Sequence, residues 1–432
     1  MLEQLLERLR AHCAQLPDYR QPSPNLTYSV AEAALSAFAV YFMQSPSFLA
    51  HQRDMQRHTG RNNAHSLFGV PRIPSDTQIR RLLDPIAPSQ LGDLFWQVYQ
   101  QLQASQLLAK HTGVAGNLLV ALDGVQYFSS QSIHCPNCTR VEHAAQITYS
   151  HSLIAPVLVA PGSQHVFSLE PEFIQPQDGH EKQDCEQQAI KRWLQRNAQR
   201  LPAERTTILA DDLHCHQPLC ERLRDYHFNF ILVCKPESHE TLYRELELLA
   251  THGLLESASE RVWNGRFYER RDYRFTNQVP LRAGLDALAV NWCEVTIWHT
   301  QTGEQLYHNA FATNFQLTAE NVAQVVCSGR ARWKTENENH NTLKNRGYHL
   351  EHNFGHGKQY LSTLLVTLNL LAFLFHTLLW LTEPVAQQLR SNLGTLTTFW
   401  DDVRTLTRYL YFSTWQHLFQ FMAVQLELEG SP

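Results

Sequence analysis

Apolar residues recur every three or four positions through residues 1–112, as in EAALSAFAVYF and LGDLFWQVYQQLQASQLL, and this period predicts a helical N-terminal region. One helix start is readable in IPSDTQIRRLLD, where Ser75 or Asp76, after Pro74, is placed to cap the free amides of the next turn. At NLLVALDGVQYF the period gives way to an unbroken apolar run that halts at Asp123-Gly124, predicting a buried strand that ends in a turn. Strands are expected again in ITYSHSLIAPVLVA and HVFSLEPEF. PQDGHEKQDCEQQAIKRWLQRNAQRL reads as a helix opened by Asp178, with Glu181 completing a capping box. TTILADD is a short strand-like run ending on two aspartates, HCHQPLCERLRDY is helical, and FNFILVCK is another buried strand. Strands alternating with helices over residues 113–237 predict an α/β layer.

From about residue 238 to 325 the pattern changes to RVWNGRFYERRDYRF, ALAVNWCEVTIWHT and EQLYHNAFATNF, rich in aromatic and β-branched residues, which predicts an all-β insertion. Helix is expected to return over 326–382, through RARWKTENENHNTLK, and to continue over 383–432. Residues 360–381, YLSTLLVTLNLLAFLFHTLLWL, are long enough to cross a bilayer. Ser362, Asn369, His376 and several threonines favour a helix buried inside a large core, so no membrane is expected.

Composition narrows the class. The chain is 43% hydrophobic and 18% charged, proportions of a globular protein with a sizeable core and appended regions. MLEQLLERLR is broken by charges and lacks the apolar stretch of an export signal, and the nine scattered cysteines are an odd number in a chain too large to need staples. Reduced thiols in a cytoplasm are the expectation. A net charge of −5 argues against a uniformly basic surface, but its distribution is uneven. Arg330, Arg332, Lys334, Lys344, Arg346 and Lys358 face only Glu336, Glu338 and Glu351 in their stretch. Arg53, Arg57, Arg61, Arg72, Arg80 and Arg81 form a second basic stretch, with His58 among them. Either suits a phosphate backbone or a solvated face.

The candidate chemistry lies in three acids. Asp123 and Asp211 each close a strand of the α/β layer, and the C-terminal edge of such a sheet is where sites form. Glu336, on the helix after the insertion, supplies a third carboxylate if that helix packs beside them. Three carboxylates make a hard oxygen cage for Mg²⁺ or Mn²⁺, and two such ions clamp the attacking and leaving oxygens of an in-line phosphoryl displacement. Each acid also has an ordinary role: a turn at Asp123-Gly124, a helix cap at Asp211 or Asp212, an ion pair between Glu336 and Arg332.

Three blocks, LDGVQYFSS, LADDLHCHQP and RARWKTENENHNTLKNRGYHLEHNFGHGK, resemble bacterial insertion-sequence transposases of the DDE class, whose third block carries a Tyr-x2-Arg-x3-Glu-x6-Lys motif after a β-rich insertion. The resemblance runs from about residue 66 to about 380. It implies an RNase H-like core, catalytic Asp123, Asp211 and Glu336 holding Mg²⁺ or Mn²⁺, and a homodimer on the terminal inverted repeats of a mobile DNA element. DNA-binding roles fall to Arg332, Lys344 and Arg346, with Trp298, Trp263 or Trp292 stacking on an unpaired base. The motif departs from the family at two points: Gly329 stands where Tyr is expected, and the lysine comes one residue late, at Lys344. One residue is about 100° around a helix, so Lys344 reaches the same phosphate only if the helix is distorted or ends nearby. Glu338 is the rival of Glu336 and Asp212 of Asp211, the latter choice resting on the spacing to His214. The same fold also suits a metal-dependent nuclease or an inactive DNA-binding derivative. Finally, Cys135, Cys138, His180 and Cys185 are a candidate zinc set, although the last two, five apart on one helix, point away from each other.

Overall fold

Ser75 does cap its helix, accepting a hydrogen bond from the Gln78 amide, and the periodic N-terminal segments fold as expected. They form α1 (Leu2–Cys13), α2 (Val30–Phe42), α3 (Phe48–Met55), α4 (Asn63–Phe68), α5 (Asp76–Leu83) and α6 (Gly92–Ala104). The computed structural model describes residues 1–56, 62–143, 146–176 and 184–428. Arg57, His58 and Arg61, the expected capping pair Asp178 and Glu181, and the zinc candidate His180 lie outside these residues.

The apolar runs become strands β1 (Leu118–Ala121), β2 (Gly124–Ser130), β3 (Thr139–His143), β4 (Gln146–Ile154), β5 (Val157–Val159), β6 (Phe167–Ser168) and β7 (Glu172–Ile174). Helix α7 (Glu186–Asn197), with Cys185 at its N-cap, leads to β8 (Thr206–Ala210), α8 (Gln217–Asp225) and β9 (Asn229–Val233). In the span expected to be all β, Glu240–Thr251 is instead a helix, α9: its leucines 242 and 246, four apart, are its buried residues, which is a helical period. The insertion proper is four long strands, β10 (Glu256–Trp263), β11 (Tyr268–Pro280), β12 (Ala289–His299) and β13 (Gln305–Thr313).

The result is a mixed α/β fold with helical N- and C-terminal regions. Nine strands form one sheet in the order β10-β11-β12-β13-β9-β8-β1-β5-β6, while β2, β4 and β3 form a second sheet with β7 against β4. Among the described residues only β1, β8 and β9 run parallel; they are buried on both faces, as parallel strands covered by helices must be. The insertion is not a separate body, because β13 pairs antiparallel with β9 and extends the same sheet.

After β13 come α10 (Val322–Arg330), α11 (Asn341–Asn345), α12 (Leu361–Thr382), α13 (Pro384–Leu393), α14 (Leu396–Tyr409) and α15 (Trp415–Gln425). Helix α12 is long and apolar enough to span a membrane, yet 94% of its most apolar window is buried within the protein. It is the axis of a helical body in which both ends of the chain meet. Phe38 of α2 packs edge-on to Phe375, and the Tyr348 hydroxyl lies 2.6 Å from His376 Nδ1. Asn63 donates to the carbonyls of Thr407 and Leu410, and Arg408 pairs with Asp54 at 2.9 Å. Truncating Leu371, fully buried at the middle of α12, leaves a cavity on every side. Leu371→Ala is expected to lower the unfolding free energy by about 2–5 kcal/mol in urea titrations, against no more than about 0.5 kcal/mol for the exposed Leu285→Ala.

Candidate functional site

Parallel pairing of β1 with β8 matches Val120 with Ile208 and Ala121 with Leu209, and the Leu122 amide continues the ladder to the Leu209 carbonyl. This register brings Asp123 and Asp211 abreast at the ends of adjacent strands. Beyond Leu122 the chain leaves the large sheet, and β2 begins the small one at Gly124, so Asp123 sits at the corner between the two. The adjacent Asp212 does other work: its carboxylate accepts from the Lys235 amide at 2.7 Å and from the Ser238 hydroxyl. That leaves Asp211 as the aspartate beside Asp123, with one carboxylate oxygen buried and, among the described residues, without a hydrogen-bond partner.

Two residues not anticipated as site members complete this corner. Glu186, the first residue of α7, lies so close over the Asp123-Gly124 turn that a Cβ on residue 124 would stand 2.2 Å from its Oε1 and would have to displace that carboxylate. The imidazole of His214 is buried, with Nε2 3.6 Å from both Glu186 Oε2 and Asp211 Oδ1. The spacing from Asp211 to His214 was legible in the sequence, whereas nothing local announces Glu186.

The expected third block approaches the same corner. Arg332 Nη1 lies 3.4 Å from Asp123 Oδ2. The helix that follows is not regular: Ala331–Trp333 is a 3₁₀ turn and Thr335–His340 is π-helical before α11 resumes. A π turn takes up one extra residue, and one residue is the amount by which Lys344 comes late. Arg332, Glu336 and His340 follow one another at intervals of four through this irregular segment. Arg332 at one end touches Asp123, while His340 at the other is buried and held neutral, lowered to about 4 by burial, then by Lys344 and Arg332, against an opposing pull from Glu186. Glu336 is exposed between them and has no ion-pair partner among the described residues. Glu338 instead lines a separate cleft of about 470 Å³ with Arg346 and Tyr348. Lys344 is engaged by Glu351 at 2.7 Å. The family tyrosine has no room at position 329: a Cβ there would meet Ile231 and Phe311 at 2.8 and 2.9 Å. No protein-family model and no curated protein matches the chain.

Two expectations are corrected. Trp292 is core, 1% exposed and edge-on to Tyr243, so it is withdrawn as a stacking residue. Trp298 is half-buried beneath Arg270, and Trp263, 54% exposed, is the accessible indole of the three. The candidate zinc set is also redrawn. Cys185 is exposed at the start of α7, and the paired thiols of Cys135 and Cys138 face His151 and His356 instead.

A cleft of about 870 Å³ opens beside Asp211, with Lys191, Lys235 and Arg332 among its lining residues. Acids at its edge and cations on its wall suit a phosphate diester approaching a metal. Asp123, Asp211 and Glu186 bring carboxylates to this corner, oxygen donors of the kind a hard divalent cation takes.

Burial pushes the Asp123 carboxyl up to about 6; Arg332 opposes this, and Asp211 and Glu186 add to it. The folded protein therefore holds a proton that the unfolded chain has released, and stability falls as pH rises from about 4 to about 6. Moving a carboxyl from 3.8 to about 6 corresponds to at most roughly 3 kcal/mol. In chelator, Asp123→Asn is expected to raise the unfolding free energy at pH 8 by about 1–3 kcal/mol and to flatten the fall between pH 4 and 6, measured by denaturation at each pH. A variant less stable than the parent at pH 8 would show that Arg332 outweighs the crowding.

Proposed function

We propose that this protein is a DDE-type transposase with an RNase H-like core, cutting and rejoining DNA at the ends of a mobile element. The observation that carries this reading is the placement of Asp123 and Asp211 just past the ends of adjacent parallel strands, with Arg332, from the segment after the β insertion, reaching Asp123. Supporting it are the β5-β1-β8-β9 order with β5 antiparallel, the attachment of the insertion beyond β9, and a π turn between Arg332 and Lys344 where the motif has one extra residue.

Asp123 and Asp211 would hold Mg²⁺ or Mn²⁺, two ions in the full site, with Glu336 as third ligand. Bound there, the metal supplies charge stabilisation at the attacking and leaving oxygens of the phosphodiester. The chain's own residues do the rest. Arg332 holds Asp123 in place and is available to a phosphate once a cation takes over the carboxylate. His214 lies between Asp211 and Glu186, and Lys191 and Lys235 give the backbone a cationic wall. Glu186 is the alternative third acid, since it already sits against Asp123 whereas Glu336 must turn inward.

Linear DNA bearing the element's own ends should be cut with Mg²⁺ or Mn²⁺ and left intact in chelator. Asp123→Ala and Asp211→Ala are expected to abolish cutting, a loss of at least about 10³-fold, with DNA binding retained, while Asp212→Ala keeps residual activity. Full activity in either of the first two sinks the reading. Comparing Glu336→Gln with Glu186→Gln identifies the third ligand as whichever removes activity.

A transposase holds two ends together, and a two-fold pair of identical subunits is the simplest way to present two such sites. Mass measurement is expected to give a dimer on paired ends, with an affinity that falls steeply as salt rises, each displaced phosphate counterion adding about −0.9 to the log–log slope. One subunit cutting one end at full rate would favour a simple nuclease.

A further inference from the structure

The CPNC turn closes on itself, the Cys138 amide donating to the Cys135 carbonyl at 3.1 Å, and this sets the two thiols side by side, with Sγ atoms 3.9 Å apart. Two imidazoles point into the same space. His151, on β4, has Nε2 3.4 Å from each sulfur, and His356, in the segment before α12, has Nε2 3.6 Å from Cys138 Sγ. All four ligand atoms lie within 4.8 Å of one another.

These spacings can be compared with those a metal imposes. Zinc–sulfur bonds of about 2.3 Å and zinc–nitrogen bonds of about 2.0–2.1 Å, directed to the corners of a tetrahedron, put sulfurs about 3.8 Å apart and each sulfur about 3.6 Å from each nitrogen. The observed edges of 3.9, 3.4, 3.4 and 3.6 Å fall on that figure. Directly bonded sulfurs would leave the two imidazoles with nothing to bind. The Cys135 amide aimed at Cys138 Sγ, 3.4 Å away, is a donor placed for a thiolate. The rings are held by neighbours: Tyr127 stacks on His151, and Phe128 lies 4.5 Å from His356.

We infer that Cys135, Cys138, His151 and His356 form a structural zinc site that fastens the small β sheet to the segment preceding α12. Four protein ligands leave no position open for substrate, which separates this site from the carboxylates at Asp123 and makes its role one of scaffolding. The ligands come from chain positions 218 apart, and the Asn137 side chain reinforces the same junction by donating to the Gln359 carbonyl. Strand β2 leaves directly from Asp123, and the segment bearing His356 follows the helix of Glu336. The metal therefore ties together the two parts of the chain on which the carboxylates depend.

The test uses the full chain, expressed with zinc in the medium and purified without chelator. Elemental analysis is expected to find bound zinc, and Cys138→Ser and His356→Ala should each lower it by one per chain and lower Tm. Cys185→Ser should leave it unchanged. Because a variant that fails to fold would also lose metal, X-ray absorption of the zinc-loaded parent protein provides an independent reading: two sulfur and two nitrogen neighbours are expected. A parent protein that neither carries nor takes up zinc overturns the proposal. So does zinc retained in full by Cys138→Ser, or a Cys135–Cys138 disulfide in the freshly purified chain.

Discussion

The pairing of β1 with β8 obliges two carboxylates to end side by side in a partly buried corner. Parallel strands in register bring their C-terminal ends level, so the apolar runs that drive β1 and β8 into the sheet also carry Asp123 into a mostly buried place near the charge of Asp211. Glu186 adds a third acid over the same turn. Such an arrangement is unfavourable without positive charge, and Arg332 provides only part of it at 3.4 Å. Stability given up at one corner, amid a core that is otherwise apolar and closely packed, is what makes this corner the candidate site.

The surrounding fold supplies the rigidity that this strain requires. Helix α12 is wrapped by helices from both ends of the chain, and its N-terminal approach is clasped by Asp84, whose carboxylate accepts from the amides of Lys358, Gln359 and Leu361. The segment carrying Glu336 and Lys344 is thus anchored at both ends, by α10 against β9 and β13 on one side and by α12 on the other. Between those anchors the backbone departs from regular helix. A π turn in a segment so firmly held is a register device: it keeps both flanking helices packed while shifting the side chains between them by one residue.

The two sheets need a comparable fastening. Within the small sheet β3 is almost wholly exposed, and a four-ligand metal site beside it would fasten by coordination an edge that has no core of its own. The insertion strands have no such need, because β13 continues the main sheet and β12 carries Trp292 and Cys293 into the hydrophobic interior.

Much of this was legible in the sequence. Apolar runs and their stops named β1, β8 and β9, the helical period named the flanking regions, and the strand ends singled out Asp123 and Asp211, because each of these depends only on neighbours along the chain. The burial of α12 was readable from its composition for the same reason. What needed the tertiary structure were contacts between distant residues. Twelve residues separate Cys138 from His151, a zinc-like spacing, but His356 joins them across a separation no spacing rule covers, where the sequence pointed instead to His180 and Cys185. Asp212 is set apart from Asp211 by the loop after β9, and Glu186 enters because α7 points its first turn at Gly124. Local periodicity fixes which face of an element is buried; only packing decides which other element that face, or that end, will meet.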